Sequence, residues 1–307
     1  MVFSPAGRAK NFAIVSSLQQ IPIPALRIGS HEFAWGSRTY VMGVVNVTPD
    51  SFSGDGVLSV TPGPGDTREA VELALRMEDE GADIIDVGGE SSRPPGLYKG
   101  SKPISADEEI GRVVPVIEAL GDRAGIPISI DTRKATVAAA AIEAGAVLCN
   151  DVSMLGDPGM AAVIADAGVG VIVSHIRPGG HRGDVVADVI DDLRSAVDVL
   201  TGAGVDRSSI VADPGIGFAK TGVQSIELMR SISHLRAELA LPVLLGSSRK
   251  SFIGMVTGES VENREFGTAA TVALAVQGGA DIVRVHDVKS MVSVVRMSDA
   301  IVRGRGD

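Results

Sequence analysis

Residues 209–220 read SIVADPGIGFAK. A short apolar run ends on the carboxylate of Asp213, and Pro214 with two glycines keeps a helix from starting there. The pattern recurs along the chain. Asn46, Asp86, Asp131, Asn150 with Asp151, His175, Asp213, Ser248 with Lys250, and Arg284 with His286 all stand at or just past the end of an apolar run. An isolated Asp, Asn or Ser in such a place is explained by a helix N-cap, and Asp86 and Asp151 are the two best left to structural hydrogen bonding. Eight such ends are too many for caps alone, because polar groups buried without partners or a ligand are costly.

The residue types share a chemistry. Asp131, Asn150 and Asp213 supply acceptors and an amide. They suit a flat heterocycle with adjacent N–H groups, which one carboxylate can take up with both oxygens. Lys250 can donate to a ring carbonyl or ring nitrogen, and the planar Arg284 can stack on a ring or meet an anion. Arg93, Arg284 and His286, with Asn46 nearby, suggest a cationic half for an anionic end, where Mg²⁺ would be held through oxygen ligands. The whole set suits a heterocycle bearing a diphosphate.

These residues need elements to bring them together. Strands are expected near 40–46, 83–88, 127–131, 146–151, 169–174, 209–213, 242–247 and 281–286. Helices are expected near 67–81, 106–121, 134–144, 158–167, 184–203, 222–239, 262–278 and 287–303. Regular alternation implies parallel strands in an α/β fold, a (β/α)8 barrel whose strand C-termini converge on one face. An open doubly wound sheet is the second choice, disfavoured by eight units with no separate second domain. EGADIIDVGG (80–89), AGAVLCNDVS (144–153), AGVGVIVSHI (167–176) and GGADIVRVHD (278–287) repeat one design: a helix-ending glycine, a buried strand, then polar residues. Residues 1–37 lack a clear period and read as an N-terminal arm, with the barrel over 38–307. The Gly-, Pro- and Ser-rich loops at 51–67 and 88–105 have the composition of lids or flexible insertions.

Composition narrows the function. The net charge of −10 argues against a broad basic face for nucleic acid, and 3% aromatic residues argue against base-stacking platforms. The single cysteine, Cys149, excludes an intrachain disulfide framework and a Cys-rich zinc site, and points to a reducing, cytoplasmic setting. Neither a signal peptide nor a membrane span is expected, since the latter needs about 20 successive apolar residues. GIGFAK (215–220) lacks the third glycine of a dinucleotide fingerprint, and GSSRKS (246–251) has the wrong spacing for a P-loop. His175 and His181, six residues apart without cysteine partners, do not make a zinc motif.

The ordered blocks MGVVNVTPDSFS (42–53), DVGGESSRP (86–94), SIDT (129–132), NDVS (150–153), DPGIGFAKT (213–221), SSRKSFIG (247–254) and RVHDV (284–288) resemble those of the bacterial dihydropteroate synthase family. The resemblance runs from about residue 40 to the C-terminus. It implies a TIM barrel, usually a homodimer. It also implies condensation of 6-hydroxymethyl-7,8-dihydropterin diphosphate with 4-aminobenzoate to 7,8-dihydropteroate and diphosphate. Carried over by motif, Asp131, Asn150, Asp213 and Lys250 would bind the pterin with Arg284 packing on it. Asn46 would contact Mg²⁺, and Arg93, Arg284 and His286 would meet the diphosphate, beside Ser92, where the family more often has threonine. Phe52, Pro94, Phe218 and Ser248 would form the 4-aminobenzoate site, and Asp213, Lys250, Arg284 and His286 would carry the chemistry. The chain departs from the pattern in longer loops near 60–66 and 94–102. It also has a shorter stretch at 174–186, with Ser174 where methionine is common. A pterin-binding paralogue without synthase activity and a methyltetrahydrofolate methyltransferase are the alternatives. The SRK and RVH blocks argue against the latter.

Overall fold

A strand covered on both faces can be apolar throughout, and residues two places apart then enter the same space. The computed structural model describes residues 23–28, 31–48, 64–90, 103–181 and 183–304. Its main sheet holds eight parallel strands: β3 (Tyr40–Asn46), β4 (Ile84–Gly88), β5 (Ile128–Thr132), β6 (Leu148–Asp151), β7 (Gly170–Ser174), β8 (Ile210–Asp213), β9 (Leu244–Leu245) and β10 (Ile282–Val285). They run in the order β8-β7-β6-β5-β4-β3-β10-β9. The Ala212–Val243 bridge and the Ala212 N–H to the Pro242 carbonyl, 2.9 Å, join β8 to the start of β9 and close the barrel.

Helices follow the strands outside the barrel: α1 (Pro64–Asp79), α2 (Ala106–Gly121), α3 (Ala135–Glu143), α4 (Met160–Ala167), α5 (Val185–Gly202), α6 (Gly222–Arg230), α7 (Ile232–Leu239), α8 (Ser251–Thr257), α9 (Glu265–Gln277) and α10 (Val288–Arg303). The helix expected over 222–239 is two helices. The Ser231 hydroxyl donates to the Glu227 carbonyl four residues back, 3.0 Å, at the break, a local bond that competes with the helix ladder. The segment after Lys250 forms the extra short helix α8, and the strand expected over 242–247 shrinks to Leu244–Leu245. Among the described residues no helix is long and apolar enough to cross a membrane.

The strand period separates two cores. Val41, Val45, Ile85, Val87, Val171, Val173, Val283 and Val285 pack with the surrounding helices. Tyr40, Met42, Ile84, Leu148, Ile172, Val211 and Ile282 form a second cluster inside the barrel. The described part of the N-terminal arm closes its lower end. There β1 (Leu26–Ile28) and β2 (His31–Phe33) pair as an antiparallel hairpin, and Leu26, Ile28 and Phe33 join the inner cluster. Buried Asp281 fastens this end, accepting from the N–H groups of Val243 at 3.0 Å and Gly36 at 3.2 Å and from Arg236 Nε at 2.9 Å.

Two residues further along five of the strands, the inner surface changes character. Ile84 is followed by Asp86, Leu148 by Asn150, Ile172 by Ser174, Val211 by Asp213 and Ile282 by Arg284. Asp131 is in register with Asn150 and with Gly88, and Ser174 with Asp213, so the polar residues form one layer at the C-terminal mouth.

Candidate functional site

Asp86 is fully buried, and a single oxygen of it, Oδ2, accepts from both Arg284 Nε at 2.6 Å and Asn150 Nδ2 at 2.9 Å. Arg284 Nη2 donates to Asp131 Oδ2 at 2.6 Å. The guanidinium therefore lies between two carboxylates. Burial works against its charge, yet Asp86 and Asp131 more than offset this and raise its pKa. Burial pushes the Asp131 carboxyl up to about 7; Arg284 opposes the rise and Asp86 adds to it. Since Asn150 gives its NH₂ to Asp86, its carbonyl oxygen is turned the other way. Asn150 Oδ1 and Asp86 Oδ1 are both buried without a hydrogen-bond partner among the described residues. Such acceptors call for a donor, and a heterocycle with N–H groups supplies one.

Asp213 sits across the mouth, 4% exposed. Ser174 Oγ donates to its Oδ2 at 2.9 Å, and the Gly215 N–H to its Oδ1 at 2.7 Å. Each oxygen keeps a lone pair, so the carboxylate is held in one plane and can still accept two parallel N–H bonds. The turn after it requires glycine. Gly215 has φ +65°, and a Cβ there would stand 1.9 Å from the His175 carbonyl oxygen. Gly217 has φ +80°, and a Cβ there would meet Lys250 Cδ at 3.2 Å. That close approach lets the Lys250 ammonium reach the Ile216 carbonyl and stand 4.3 Å above the centre of the Phe218 ring. Burial brings Lys250 down to about 8, with Asp213 opposing the shift and Arg284 adding to it.

The structure gathers Asp131, Asn150, Asp213, Lys250, Phe218 and Arg284 around one mouth. Asn46 ends β3 at the same face, half-buried. Ser248 and His286 lie together beyond β9 and β10: the Ser248 hydroxyl meets His286 Nδ1 at 3.0 Å and accepts from the His286 N–H at 3.3 Å. Phe52, Ser92, Arg93 and Pro94 lie outside the described residues, as do most of the loops 51–67 and 88–105. Asp151 makes the structural bonds expected of it, accepting from the Ser153 N–H at 2.8 Å and the Ser153 hydroxyl at 2.6 Å. Asp86 also makes structural bonds, but its partners are two residues of the site, Asn150 and Arg284, a link that no local sequence pattern signals. Ser174, in sequence only a departure from the family pattern, holds the central carboxylate.

Comparison with known proteins shows the family. Residues 42–286 match the family described as pterin binding enzyme. A dihydropteroate synthase of Bacillus subtilis is 44% identical over 274 residues, covering 89% of this chain and 92% of the relative. A crystal structure of dihydropteroate synthase from Clostridium difficile in the presence of pteroic acid superposes with a TM-score of 0.82 at 42% identity, covering 88% of this chain and 99% of that one. The Xanthomonas albilineans dihydropteroate synthase with 4-aminobenzoic acid gives 0.82 at 40% identity, covering 91% and 98%.

The pKa of Lys250 gives a stability prediction. Its folded-state pKa lies below the unfolded value, so from about 8 to about 10.5 the unfolded chain holds a proton that the folded chain has lost. The burden of the buried charge is full below that window and disappears as pH rises through it. Melting temperatures of the wild type and Lys250→Met, measured from pH 7 to pH 10, should shift progressively in favour of the wild type. A constant difference across the range would show that the ammonium is not destabilised by burial.

Proposed function

The chain belongs to the pterin-binding enzyme family and, within it, to the dihydropteroate synthases; from this premise we infer that the polar layer at the barrel mouth is the pterin site. The reaction is a transfer in folate biosynthesis, condensing 6-hydroxymethyl-7,8-dihydropterin diphosphate with 4-aminobenzoate to give 7,8-dihydropteroate and diphosphate. The observation that carries the placement is the Asp213 carboxylate, fixed by Ser174 and Gly215 with a lone pair left on each oxygen. Asp213 takes the adjacent N–H groups of the pterin. Asn150 offers its carbonyl oxygen, Asp131 a further acceptor, and Lys250 a donor to the ring carbonyl or ring nitrogen. Arg284, held edge-on by Asp86 and Asp131, lies against the ring and faces the diphosphate. His286, Arg93 and Ser92 complete the anionic end. Phe218 and Ser248, with Phe52 and Pro94, receive 4-aminobenzoate.

In the chemical step, the bond between the pterin methylene carbon and the bridging oxygen breaks, and diphosphate leaves with the electron pair. The electron-rich dihydropterin spreads the positive charge left on carbon, and the Asp213 carboxylate favours that charge electrostatically. The amine of 4-aminobenzoate then forms the carbon–nitrogen bond, and the proton it sheds passes to the released diphosphate or to solvent. The nucleophile is already a free amine, so no strong base has to act before attack. Arg284 and His286 stabilise the departing anion.

The donor set suits Mg²⁺ in one form. Among the described residues no group of three or more His, Cys, Asp or Glu side chains could hold a metal ion, while Asn46 brings one amide oxygen to the mouth. Mg²⁺ commonly takes water and substrate phosphate oxygens for most of its six positions, so a single protein oxygen beside a diphosphate suits it. Bound there, Mg²⁺ would neutralise charge on the leaving group.

We further propose a homodimer through the outer face of α6, α8, α9 and α10. Val223, Met255, Val256, Phe266, Leu274, Met297 and Ile301 are exposed there, Phe266 by 87%. Scattered apolar residues are ordinary, but seven on neighbouring helices make an association surface. Equilibrium sedimentation should give a dimer for the wild type and a monomer for Phe266→Asp, whereas a wild-type monomer at micromolar concentration would contradict the proposal.

Purified protein given pterin diphosphate and Mg²⁺ should release diphosphate only when 4-aminobenzoate is also present, with dihydropteroate as product. Asp213→Asn replaces one acceptor by a donor and should weaken pteroate binding by about a hundredfold, near 3 kcal/mol, with the barrel still folded. Pteroate affinity unchanged by that substitution would remove Asp213 from the pterin site.

A further inference from the structure

Lys220 and His175 are polar, close to the site and unused by the chemistry above. The Lys220 ammonium has four acceptors around it: His175 Nδ1 at 2.9 Å and the carbonyls of Gly215 at 3.0 Å, His175 at 3.2 Å and Phe218 at 3.2 Å. Burial brings Lys220 down to about 7, so its charge does not fix the tautomer; the Asp192 carboxylate can only accept, so His175 carries its proton on Nε2 and its Nδ1 accepts from Lys220 Nζ. The proton of the neutral imidazole is then on Nε2, which donates to Asp192 Oδ2 at 2.9 Å. His175 is fully buried, and burial, reinforced by Lys220, brings its pKa down to about 4, so it remains neutral. Asp192 is clamped by Arg177 Nε and Nη2, each at 2.9 Å. The His181 ring stacks on His175 with centroids 5.3 Å apart, and its Nδ1 meets Asp188 Oδ2 at 2.8 Å. A chain of fixed contacts thus runs from α5 through His175 to the turn at 215–218.

That turn is gripped from two sides. Lys250 bonds the Ile216 carbonyl from the pocket, and Lys220 bonds the Gly215 and Phe218 carbonyls from behind. We propose that Lys220 is a positioning residue for the synthase reaction: it ties the 215–218 turn to His175 and so fixes where Phe218 stands. The assignment rests on reading Phe218 as a 4-aminobenzoate contact. Asp213 shares the Gly215 N–H with this turn but keeps the Ser174 hydroxyl on its other oxygen, so loss of Lys220 should affect the second substrate more than the pterin.

The test uses Lys220→Gln, Lys220→Arg and Asp192→Asn in the full chain. Amide hydrogen exchange, which needs no turnover, should rise about tenfold over residues 215–219 in Lys220→Gln and more modestly in Asp192→Asn, with β8 unchanged. The KM for 4-aminobenzoate should rise about tenfold in Lys220→Gln, while kcat and the KM for pterin diphosphate change by less than about threefold. Lys220→Arg, which keeps a cationic donor, should restore the low KM. A purely structural lysine would lower the melting temperature and leave both KM values and the exchange pattern alone, and that result would overturn the proposal. So would equal rises in both KM values. A wild-type chain without aminobenzoate-dependent release would overturn the reading of the site instead, and the exchange data would then decide alone whether Lys220 holds the turn.

Discussion

The site depends on one buried oxygen. Asp86 Oδ2 receives Arg284 Nε and Asn150 Nδ2 together, joining β4, β10 and β6. Without the guanidinium, Asp86 and Asp131 would be two carboxylates facing each other in a closed barrel. Without Asp86, Arg284 would keep one anchor, and the Asn150 amide could turn either way. Removing one partner from a buried ionic group of this kind costs about 3–5 kcal/mol, since an uncompensated charge is left behind. These bonds are made between the protein's own groups, while Asp86 Oδ1 and Asn150 Oδ1 keep no partner among the described residues. The polar groups are therefore oriented before a substrate arrives and need not reorganise when charge develops.

The barrel makes such a cluster tolerable. Along one strand, a residue that seals the inner core and a residue that faces the mouth are only two places apart. Ile84 and Asp86, Val211 and Asp213, and Ile282 and Arg284 are such pairs. The hairpin of β1 and β2 closes the far end with Leu26, Ile28 and Phe33, so the polar layer is backed by apolar side chains on one side. The low local dielectric strengthens the ionic contacts there and also accounts for the downward shift of Lys250.

The sequence was most informative where chemistry and period coincide. An apolar run ending in a polar or ionisable residue marks a strand terminus, and eight of them in alternation with helical stretches leave few architectures. That pattern alone sets Asp131, Asn150, Asp213, Lys250 and Arg284 at one mouth. Contacts across the barrel were not legible. Asp86 and Arg284 are 198 residues apart, so nothing local distinguishes Asp86 from an ordinary cap. Ser174 looked like a mere departure, because its value lies in a partner on the next strand, Asp213. Lys220 was hidden for a similar reason: it bonds backbone carbonyls, which have no sequence signature. The break at Ser231 and the helix after Lys250 depend on local hydrogen bonding that a weak period does not reveal.

The most direct test is a double-mutant cycle on pteroate affinity, with Asp86→Asn, Asn150→Ala and both changes together, read by titration calorimetry. If Asp86 acts by fixing the Asn150 amide, the two losses will not add, and the coupling will be about 1 kcal/mol or more. Losses that add to within about 0.3 kcal/mol would show that the two residues act separately and that the site is not organised around the buried carboxylate.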